Sequence, residues 1–239
     1  MPTDTGAPLA LFLFAHQDDE FGVFFQLEQE RRAGRQVCCV YATDGAATAD
    51  PERRNAESQA VLRRLGVAAE DILLTGQTLG IGDGFLHSRV EVLAQWLAAF
   101  FDAHPAIDAC FVPAWEGGHP DHDLLHAVAV RLLAARHRLG MVRQYPLYHG
   151  KDCRGPLFRA LSPLAENGPS ERRAFGWKER LRYARLCLAY PSQWRSWIGL
   201  FPFVCWRYLR DGAQQLQRVD DTRLAQPPHA GHLYYERRG

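Results

Sequence analysis

The first 113 residues of the chain contain four short apolar runs, and each run is flanked by polar residues. Residues 9–15 (LALFLFA) are continuously apolar, and residues 37–43 (VCCVYAT) repeat the pattern with many β-forming side chains. Residues 71–75 and 109–113 are shorter versions of it. Such a run is typical of a strand that is buried on both faces, as in a parallel sheet. The pattern therefore predicts four buried strands.

Amphipathic segments with helix start and stop signals lie between these runs and after the last one. The predicted helices span residues 21–33, 51–65, 88–104 and 121–138. Asp50 can cap the second helix. Pro51 suits the first position of that helix, because a backbone N–H group at this position would have no acceptor within the helix and proline has none to satisfy. The regular alternation of strand and helix predicts an α/β fold, a Rossmann-like three-layer sandwich with a mostly parallel sheet.

The character of the chain changes at about residue 151. Four of the six tryptophans lie beyond this point, amid Arg, Pro and Gly, and no linker-like stretch precedes them. We therefore expect a single domain over residues 1–239, with an α/β core at 9–150 and a helical, loop-rich C-terminal extension at 151–239 packed on it. Residues 198–204 could touch a membrane surface, although burial against the sheet is the default expectation.

Composition narrows the classes of protein further. An apolar fraction of 47% and a charged fraction of 23% exclude intrinsic disorder, collagen-like repeats and coiled coil. A net charge of +1 does not suggest binding of nucleic acid. No apolar run reaches the roughly 18 residues of a transmembrane helix, and residues 1–8 do not resemble a signal peptide. The six cysteines form no C-x-x-C pair, which favours reduced thiols and a cytoplasmic protein. The sequence does not indicate an oligomeric state.

A first polar cluster, His16-Gln17-Asp18-Asp19-Glu20, directly follows the first predicted strand. Ligands bind at the carboxyl ends of strands in open α/β sheets. Three consecutive carboxylates repel one another, and a divalent cation would relieve that repulsion. The alternative is a helix N-terminus, where the helix dipole favours acidic side chains.

A second polar cluster, Gly117-Gly118-His119-Pro120-Asp121-His122-Asp123, follows the fourth predicted strand. Taken alone, it could be a helix cap that is rich in His and Asp. Because neighbouring strand ends converge on one crevice, His16, Asp19 and His122 could instead complete one ligand set of nitrogen and oxygen atoms. Three protein ligands with an open position are characteristic of catalytic zinc.

The two clusters together resemble the PIG-L/LmbE-like zinc-dependent de-N-acetylases. The first motif of that family is commonly AHPDDE, and this chain has Gln17 where Pro is usual. The resemblance extends to Thr43-Asp44-Gly45, to Arg54-x-x-Glu57 and to the Gly-rich segment 79–84. It covers roughly residues 9–150, whereas the C-terminal third matches loosely, around residues 190–193.

The resemblance implies roles for individual residues. His16, Asp19 and His122 would bind the metal, which is zinc in the family, although Fe²⁺ or another divalent ion is compatible with an imidazole and carboxylate set. Asp18 would be the general base. His119 would polarise the tetrahedral intermediate or protonate the leaving amine.

Three more residues receive roles from the same resemblance. Asp121 would orient His119 and raise its pKa. Arg54 and Asp83 would hold sugar hydroxyls or a neighbouring phosphate. The plainer explanations are a surface ion pair between Arg54 and Glu57, three residues apart on one helix, and a turn around Asp83. The tryptophans and Tyr190 could stack on a sugar ring, although such aromatic residues more often pack in a core.

The expected function is zinc-dependent hydrolysis that removes the acetyl group from an N-acetylated amino sugar of the N-acetylglucosaminyl type. Its substrate would be a small molecule or a glycoconjugate. Two alternatives remain open: a metal-dependent phosphoesterase, because Asp and His clusters at strand ends serve that chemistry too, and a catalytically silent sugar-binding protein on the same fold.

Overall fold

A computed structural model describes residues 6–46 and 50–238 of the chain. Five strands follow the predicted alternation with helices: β1 (Leu9–Phe14), β2 (Gln36–Tyr41), β3 (Ile72–Leu73), β4 (Ile107–Pro113) and β5 (Val142–Tyr145). The helices between and after them are α1 (Phe24–Arg32), α2 (Pro51–Arg64), α3 (Thr75–Leu79), α4 (Val90–Ala103) and α5 (Pro120–Ala134). The four strands and four helices expected from the pattern are all present, and Asp50 caps α2 by accepting the N–H of Glu52.

The main sheet has the strand order β3-β2-β1-β4-β5 and continues with two strands from the C-terminal third. The five N-terminal strands pair in parallel, and β1 lies at the centre between β2 and β4. Helices cover both faces. Alternate residues of β1 point to opposite sides, so that Phe12 and Phe14 join one apolar core and Leu11 and Leu13 join the other. The predicted Rossmann-like α/β fold is confirmed.

The C-terminal third is more than helices and loops. It contains α6 (Trp177–Leu186) and α7 (Trp194–Asp211), but also β8 (Ser170–Ala174) and β9 (Ala213–Arg218). These two strands extend the main sheet: β9 pairs antiparallel with β5, and β8 pairs antiparallel with β9. A small separate hairpin pairs β6 (Tyr148–His149) with β7 (Arg159–Ala160). The sequence analysis missed these strands because their residues are mostly polar and show neither an apolar run nor an apolar alternation.

Residues 198–204 form part of α7, and the default expectation that they are buried was wrong for most of them, since Ile198 and Phe203 are exposed and only Val204 is buried. Within residues 6–46 and 50–238, no helix combines the length and the apolar character needed to cross a bilayer. The six cysteines are free thiols, and four of them are buried, in accordance with the expectation from their spacing.

Candidate functional site

The two polar clusters lie side by side at the point where the strand order reverses. β1 leads into His16 and a short 3₁₀ helix (Asp19–Gly22), and β4 leads into the loop that ends at His119, the N-cap of α5. In the order 3-2-1-4-5, the connections after β1 and β4 leave the sheet in opposite directions, which opens a crevice between them. The topology therefore brings together residues that are about a hundred positions apart in the chain.

Glycine allows the second cluster to come this close. A Cβ atom on Gly118 would collide with the backbone carbonyl oxygen of Tyr148, and Gly117 has a φ of +70°, which side chains disfavour. The loop after β4 can therefore lie against the start of the β6 strand. This packing fixes the position of His119 at the start of α5.

Three potential metal-binding atoms converge in this crevice. His16 Nδ1 lies 3.2 Å from His122 Nε2, and His122 Nε2 lies 3.1 Å from Asp19 Oδ1. His16 Nδ1 lies 3.8 Å from the other oxygen of Asp19, Oδ2. Atoms that each lie about 2.0–2.1 Å from a tetrahedral zinc ion are about 3.3–3.4 Å from one another. The two distances that meet at His122 Nε2 thus fit a shared cation, whereas His16 approaches Asp19 through its other oxygen.

Further contacts hold two of these side chains in place. Asp19 Oδ2 accepts the backbone N–H groups of Ala15 and His16 at 2.9 and 2.8 Å, which turns Oδ1 towards His122. On the far side of the His16 ring, Nε2 lies 3.1 Å from Asp121 Oδ2 and 3.3 Å from Asp83 Oδ1. A proton on Nε2 serves these carboxylates, so Nδ1 can present a lone pair to a cation, an arrangement common for metal-binding histidines.

The electrostatics of the crevice show that it favours a positive charge. Burial alone would lower the pKa of His16, but the carboxylates of Asp83, Asp121 and Asp19 raise it to about 10. Burial works against the charge of Asp19 as well, yet His122 and His16 lower the pKa of that carboxyl. Two imidazole nitrogens and a carboxylate oxygen compete for protons at one point, and a divalent cation can bind all three at once.

Two groups of atoms are compact enough to hold an ion, and neither contains Asp19: the first comes from His16, His119 and His122, and the second from His16, Asp83 and Asp121. The carboxylates of the second group are already occupied. Asp121 accepts the backbone N–H groups of Gly84 and Leu86, and Asp83 forms an ion pair of 2.7 Å with the guanidinium of Arg54. A divalent cation at the second group would be repelled by Arg54, so the place where His16 meets His122 is the better metal site.

Asp18 lines the cavity next to the proposed ligands and is held in an unusual conformation. Its φ is +126°, a region that residues other than glycine rarely occupy. Its backbone N–H donates to Glu20 Oε2 at 2.8 Å, and Glu20 in turn accepts the hydroxyl group of Tyr41. Burial raises the pKa of the Asp18 carboxyl, although Arg54 at 3.9 Å acts in the opposite direction. Backbone strain of this kind persists where the surrounding contacts enforce it, often at functional sites.

His119 lies across the cavity from Asp18. Its Nδ1 accepts the backbone N–H of Asp121 at 3.2 Å, so the proton of the neutral ring is on Nε2. Burial lowers the pKa of His119, and the neighbouring His16 and His122 lower it further. The sequence led us to expect the Asp121 carboxylate to contact His119 and to raise its pKa. The carboxylate contacts His16 instead, and it is the backbone N–H of Asp121 that bonds to His119. The charge of Asp121 does raise the pKa of His119, but burial and the two neighbouring histidines outweigh it.

Arg54 and Asp83 both line the cavity, as a buried pair. Arg54 also donates to the backbone oxygens of Gly45 and Gln17, so that it ties the two loops after β1 and β2 together. The proposed surface ion pair with Glu57 was wrong, because Glu57 accepts from Arg53 and from the backbone N–H of Ser192.

Gln17, which replaces the proline usual at its position, points away from the convergent atoms. Its amide donates to Asn55 Oδ1 at 2.7 Å and to the backbone oxygen of Thr43. This side chain anchors the loop after β1 to α2 and to the end of β2. The geometry of the neighbouring His16 therefore depends on other contacts and not on the side chain at position 17.

An aromatic wall that the sequence analysis missed forms the other side of the cavity. The cavity has a volume of about 300 Å³. The ring of Tyr148 lies 5.7 Å from that of His122, and the rings of Phe158 and Tyr234 pack on Tyr148 at 6.0 and 5.9 Å. Tyr148 follows β5 closely, so the rule about strand ends could have found it. Tyr190, which we considered for sugar stacking, is buried in the core.

Glu116 holds the backbone of the aromatic wall at Tyr148 in position. Its carboxylate is fully buried and accepts the backbone N–H groups of Leu147 and Tyr148 at 2.7 and 2.9 Å. Burial raises the pKa of Glu116 well above that of an exposed carboxyl. The loop after β4 is thereby joined both to the proposed metal ligands and to the aromatic wall.

Comparison with known proteins agrees with the geometry. Residues 11–133 match the family described as PIG-L: GlcNAc-PI de-N-acetylase. No curated protein sequence matches the chain. The N,N'-diacetylchitobiose deacetylase of Pyrococcus horikoshii superposes with a TM-score of 0.63 at 17% identity, over 94% of this chain and 88% of that one. The A40926 pseudoaglycone deacetylase Dbv21 superposes with a TM-score of 0.60 at 20% identity, over 90% and 98% of the two chains.

The fold alone does not determine the chemistry. GalB, the 4-carboxy-2-hydroxymuconate hydratase of Pseudomonas putida KT2440, superposes with a TM-score of 0.54 at 12% identity, over 87% of this chain and 95% of that one. Proteins with the same architecture thus include a hydratase as well as deacetylases. Function has to be argued from the side chains in the crevice.

Proposed function

This chain belongs to the PIG-L family, and we propose that it is a metal-dependent hydrolase that removes the acetyl group from an N-acetylated amino sugar of the N-acetylglucosaminyl type. The observation that carries the proposal is the convergence of His16 Nδ1, Asp19 Oδ1 and His122 Nε2, with Asp18 beside them in the same cavity. The amide and sugar class are supported by the family description and by the names of the two deacetylases with this fold.

His16, Asp19 and His122 would hold the metal, with zinc as the first choice. Two imidazoles and one carboxylate suit Zn²⁺ and also Fe²⁺, so the ligand set does not select between them. When bound, such an ion supplies a Lewis acid and lowers the pKa of a bound water molecule to about 7. Asp121 would position His16 for this role through its contact with Nε2.

Asp18 would accept the proton of the attacking water molecule. It lies next in sequence to the ligand Asp19, its carboxylate faces the cavity, and Glu20 fixes its backbone. Arg54 lies too far from Asp18 for a direct hydrogen bond, at 3.9 Å, so the carboxylate oxygens stay available. The leaving amine also requires a proton, and Asp18 can return the one it has taken.

His119 would stabilise the oxyanion of the tetrahedral intermediate as a neutral hydrogen-bond donor. Because Nδ1 accepts a backbone N–H, Nε2 carries the proton, and its ring lies 4.5 Å from that of His16. A preoriented donor of this kind contributes about 10²- to 10³-fold to the rate. Of the two roles that the resemblance implies for His119, this one is favoured over protonation of the leaving amine, since burial and two neighbouring histidines disfavour a charge on the ring.

The remaining walls of the cavity would bind the sugar. Arg54 and Asp83 offer a donor and an acceptor for hydroxyl groups, and they are held rigidly by their mutual ion pair. Tyr148 and Phe158 offer ring faces on the opposite side, where a pyranose could pack. A polar wall that faces an aromatic one is a common arrangement in sugar-binding sites.

The phosphoesterase alternative receives less support from the site. Two-metal phosphoesterases hold ions about 3.5–4 Å apart with bridging carboxylates. Within the described residues, the second compact group contains Asp83, which is already paired with Arg54. The silent binding protein is disfavoured by the presence of all the proposed ligands together with Asp18.

Metal analysis combined with two activity assays tests the proposal. We expect the purified protein to carry about one equivalent of zinc or iron and to release acetate from N-acetylglucosamine conjugates, without releasing phosphate from phosphate esters. His122→Ala should lose both metal and acetate release. Release of phosphate in place of acetate would establish the phosphoesterase, and metal binding without any turnover would favour the silent binding protein.

A further inference from the structure

The helical hairpin of α6 and α7 exposes an unusual amount of apolar surface. Among the residues whose exposure the structure describes, eight large hydrophobic side chains are exposed, and six of them lie on this hairpin or in the turn after α6. These six are Trp177, Leu181, Leu188, Ile198, Phe203 and Trp206. A contiguous exposed apolar surface of this kind commonly marks a site of interaction.

The exposed residues form two adjacent stripes. In the first stripe, Trp177 and Leu181 lie four positions apart on one side of α6, and Leu188 lies in the turn that follows the helix. The helices run antiparallel, because Arg180 near the start of α6 donates to Leu209 near the end of α7. The end of α7 that carries Trp206 therefore lies beside the start of α6 that carries Trp177. We call the combined face the hairpin surface.

Basic residues accompany the apolar ones. Residues 177–211 contain seven basic and two acidic residues, a net charge of +5, whereas the whole chain has +1. The guanidinium of Arg180 lies 4.6 Å from the ring centre of Trp177, and that of Arg210 lies 5.8 Å from the ring centre of Trp206. Tryptophan with a neighbouring cation suits the boundary between lipid headgroups and acyl chains.

The hairpin surface is continuous with the mouth of the cavity. Gly199 and Leu200 of α7 line the cavity, and the exposed Ile198 precedes them directly. The ring of Phe203 lies 5.2 Å from that of Phe158 in the aromatic wall. A flat surface that bound the hairpin would therefore lie next to the opening of the site.

We propose that the hairpin surface docks on a bilayer that contains anionic lipids. Its cations would contact the headgroups, and its Trp and Leu side chains would enter the interfacial region. A second copy of the chain is a poorer occupant, because a twofold interface would place the same positive surface against itself. A complementary acidic protein is the other alternative that the experiment below separates from lipid.

Co-flotation of the full-length protein with vesicles tests the proposal. We expect binding to vesicles of phosphatidylcholine and phosphatidylglycerol in equal parts, weaker binding to pure phosphatidylcholine, and loss of binding at high salt. The double variant Trp177→Ser/Trp206→Ser should bind at least about tenfold more weakly, because two interfacial anchors are removed. Phe85→Ser is the matched control, since Phe85 is as exposed as the two tryptophans, at 62%, but lies outside the hairpin.

A second variant tests the cations without changing the apolar residues. Lys178→Glu/Arg185→Glu changes two exposed basic residues of α6, and each basic residue near an anionic membrane contributes about fivefold to binding. Circular dichroism confirms that the variants fold. Equal binding by wild type and both double variants, or no binding to anionic vesicles, would refute the proposal. So would conversion of a dimer to a monomer by Trp177→Ser/Trp206→Ser in analytical ultracentrifugation, because the occupant would then be a second copy.

Discussion

At the scale of single residues, the site depends on which atom of each side chain is left available. Asp19 has two carboxylate oxygens, and backbone N–H groups occupy one of them, so the other faces His122. His16 has two ring nitrogens, and the carboxylate of Asp121 occupies one of them. The same principle distinguishes Asp18. Within the described residues its carboxylate accepts no hydrogen bond, and its ion-pair partner Arg54 stays at 3.9 Å.

Asp18→Asn should therefore separate catalysis from metal binding. The amide cannot accept the proton of water, so we expect turnover to fall by about 10²- to 10⁴-fold. Metal content should stay at the wild-type level, because the three proposed ligands are unchanged. Acetate release and atomic absorption measured on the same preparation check this prediction. Turnover close to that of the wild type would mean that another group takes the proton.

The buried His126, which is not a proposed metal ligand, leads to a prediction of how the stability of the fold depends on pH. It is buried, its Nδ1 lies 2.8 Å from the backbone oxygen of Pro113, and burial lowers its pKa from 6.5 to about 4. The unfolded chain then binds a proton at a pH at which the folded chain does not. Stability is retained above pH 6.5 and is lost as the pH falls from 6.5 towards 4. For a pKa shift of this size, the loss of folding free energy from this group reaches at most about 3 kcal/mol.

His126→Gln removes this titration while it keeps an N–H donor for Pro113. The free energy of unfolding, measured in urea between pH 7 and pH 4, should decrease less steeply for the variant than for the wild type. Comparing the two proteins at each pH cancels the opposite contribution of buried carboxyls such as Asp123, whose pKa burial raises to about 6. Parallel curves for the two proteins would show that the pKa of His126 is the same in the folded and the unfolded chain.

At the scale of elements, the apolar pattern of the sequence was sufficient to predict the central strands of the sheet but not the strands at its edge. β1 and β2 are continuous apolar runs, so a period of two was not needed to identify them. β8 (SERRA) and β9 (AQQLQR) are polar and would not form a sheet without the edge of β5. Their conformation results from tertiary pairing, and the charges on β8 suit an exposed edge strand.

The residues of the candidate site likewise divide into those that the sequence could predict and those that it could not. Residues next to strand ends, such as His16 and His119, could be found from the sequence because topology fixes where strands end. The partner of Asp121 could not, since its carboxylate could contact the neighbouring His119 or the distant His16, and its position depends on backbone donors from Gly84 and Leu86. Two residues of the aromatic wall were also beyond reach, because Phe158 lies in a loop and Tyr234 begins a short 3₁₀ helix near the end of the chain.

The loop after β4 provides a test at this scale. Gly118→Ala adds one methyl group where the carbonyl oxygen of Tyr148 lies, so the loop that carries His119 must shift. We expect destabilisation of about 1–3 kcal/mol and a loss of turnover. Gly140→Ala is the matched control, since no heavy atom lies within 4 Å of its added Cβ atom. Differential scanning fluorimetry and the acetate assay measure both effects. Wild-type turnover in Gly118→Ala would show that the close approach of the two loops does not position His119.

At the scale of the whole molecule, the sheet order explains why distant segments meet. β1 and β4 are neighbours in the sheet although α1, α2, α3 and α4 separate them in the chain. A cation bound between His16 and His122 would link the two halves of the α/β core at the carboxyl edge of the sheet. The C-terminal third completes the enclosure, because α7 lines the cavity and β9 extends the sheet.

A cation that joins segments so far apart in the chain should stabilise the fold as a whole. The unfolded chain does not present these ligands together, so binding favours the folded state by about 4 kcal/mol when the free metal is about 1,000 times its Kd. For a domain of this size, each kcal/mol corresponds to about 2–4 °C in Tm, so a chelator should lower Tm by about 8–16 °C. The variant His122→Ala is the control, because it lacks a ligand and its Tm should not respond to the chelator. An equal effect on both proteins would mean that the chelator acts elsewhere, whereas an effect on the wild type alone would show that His122 and the distant His16 segment are joined through a bound metal.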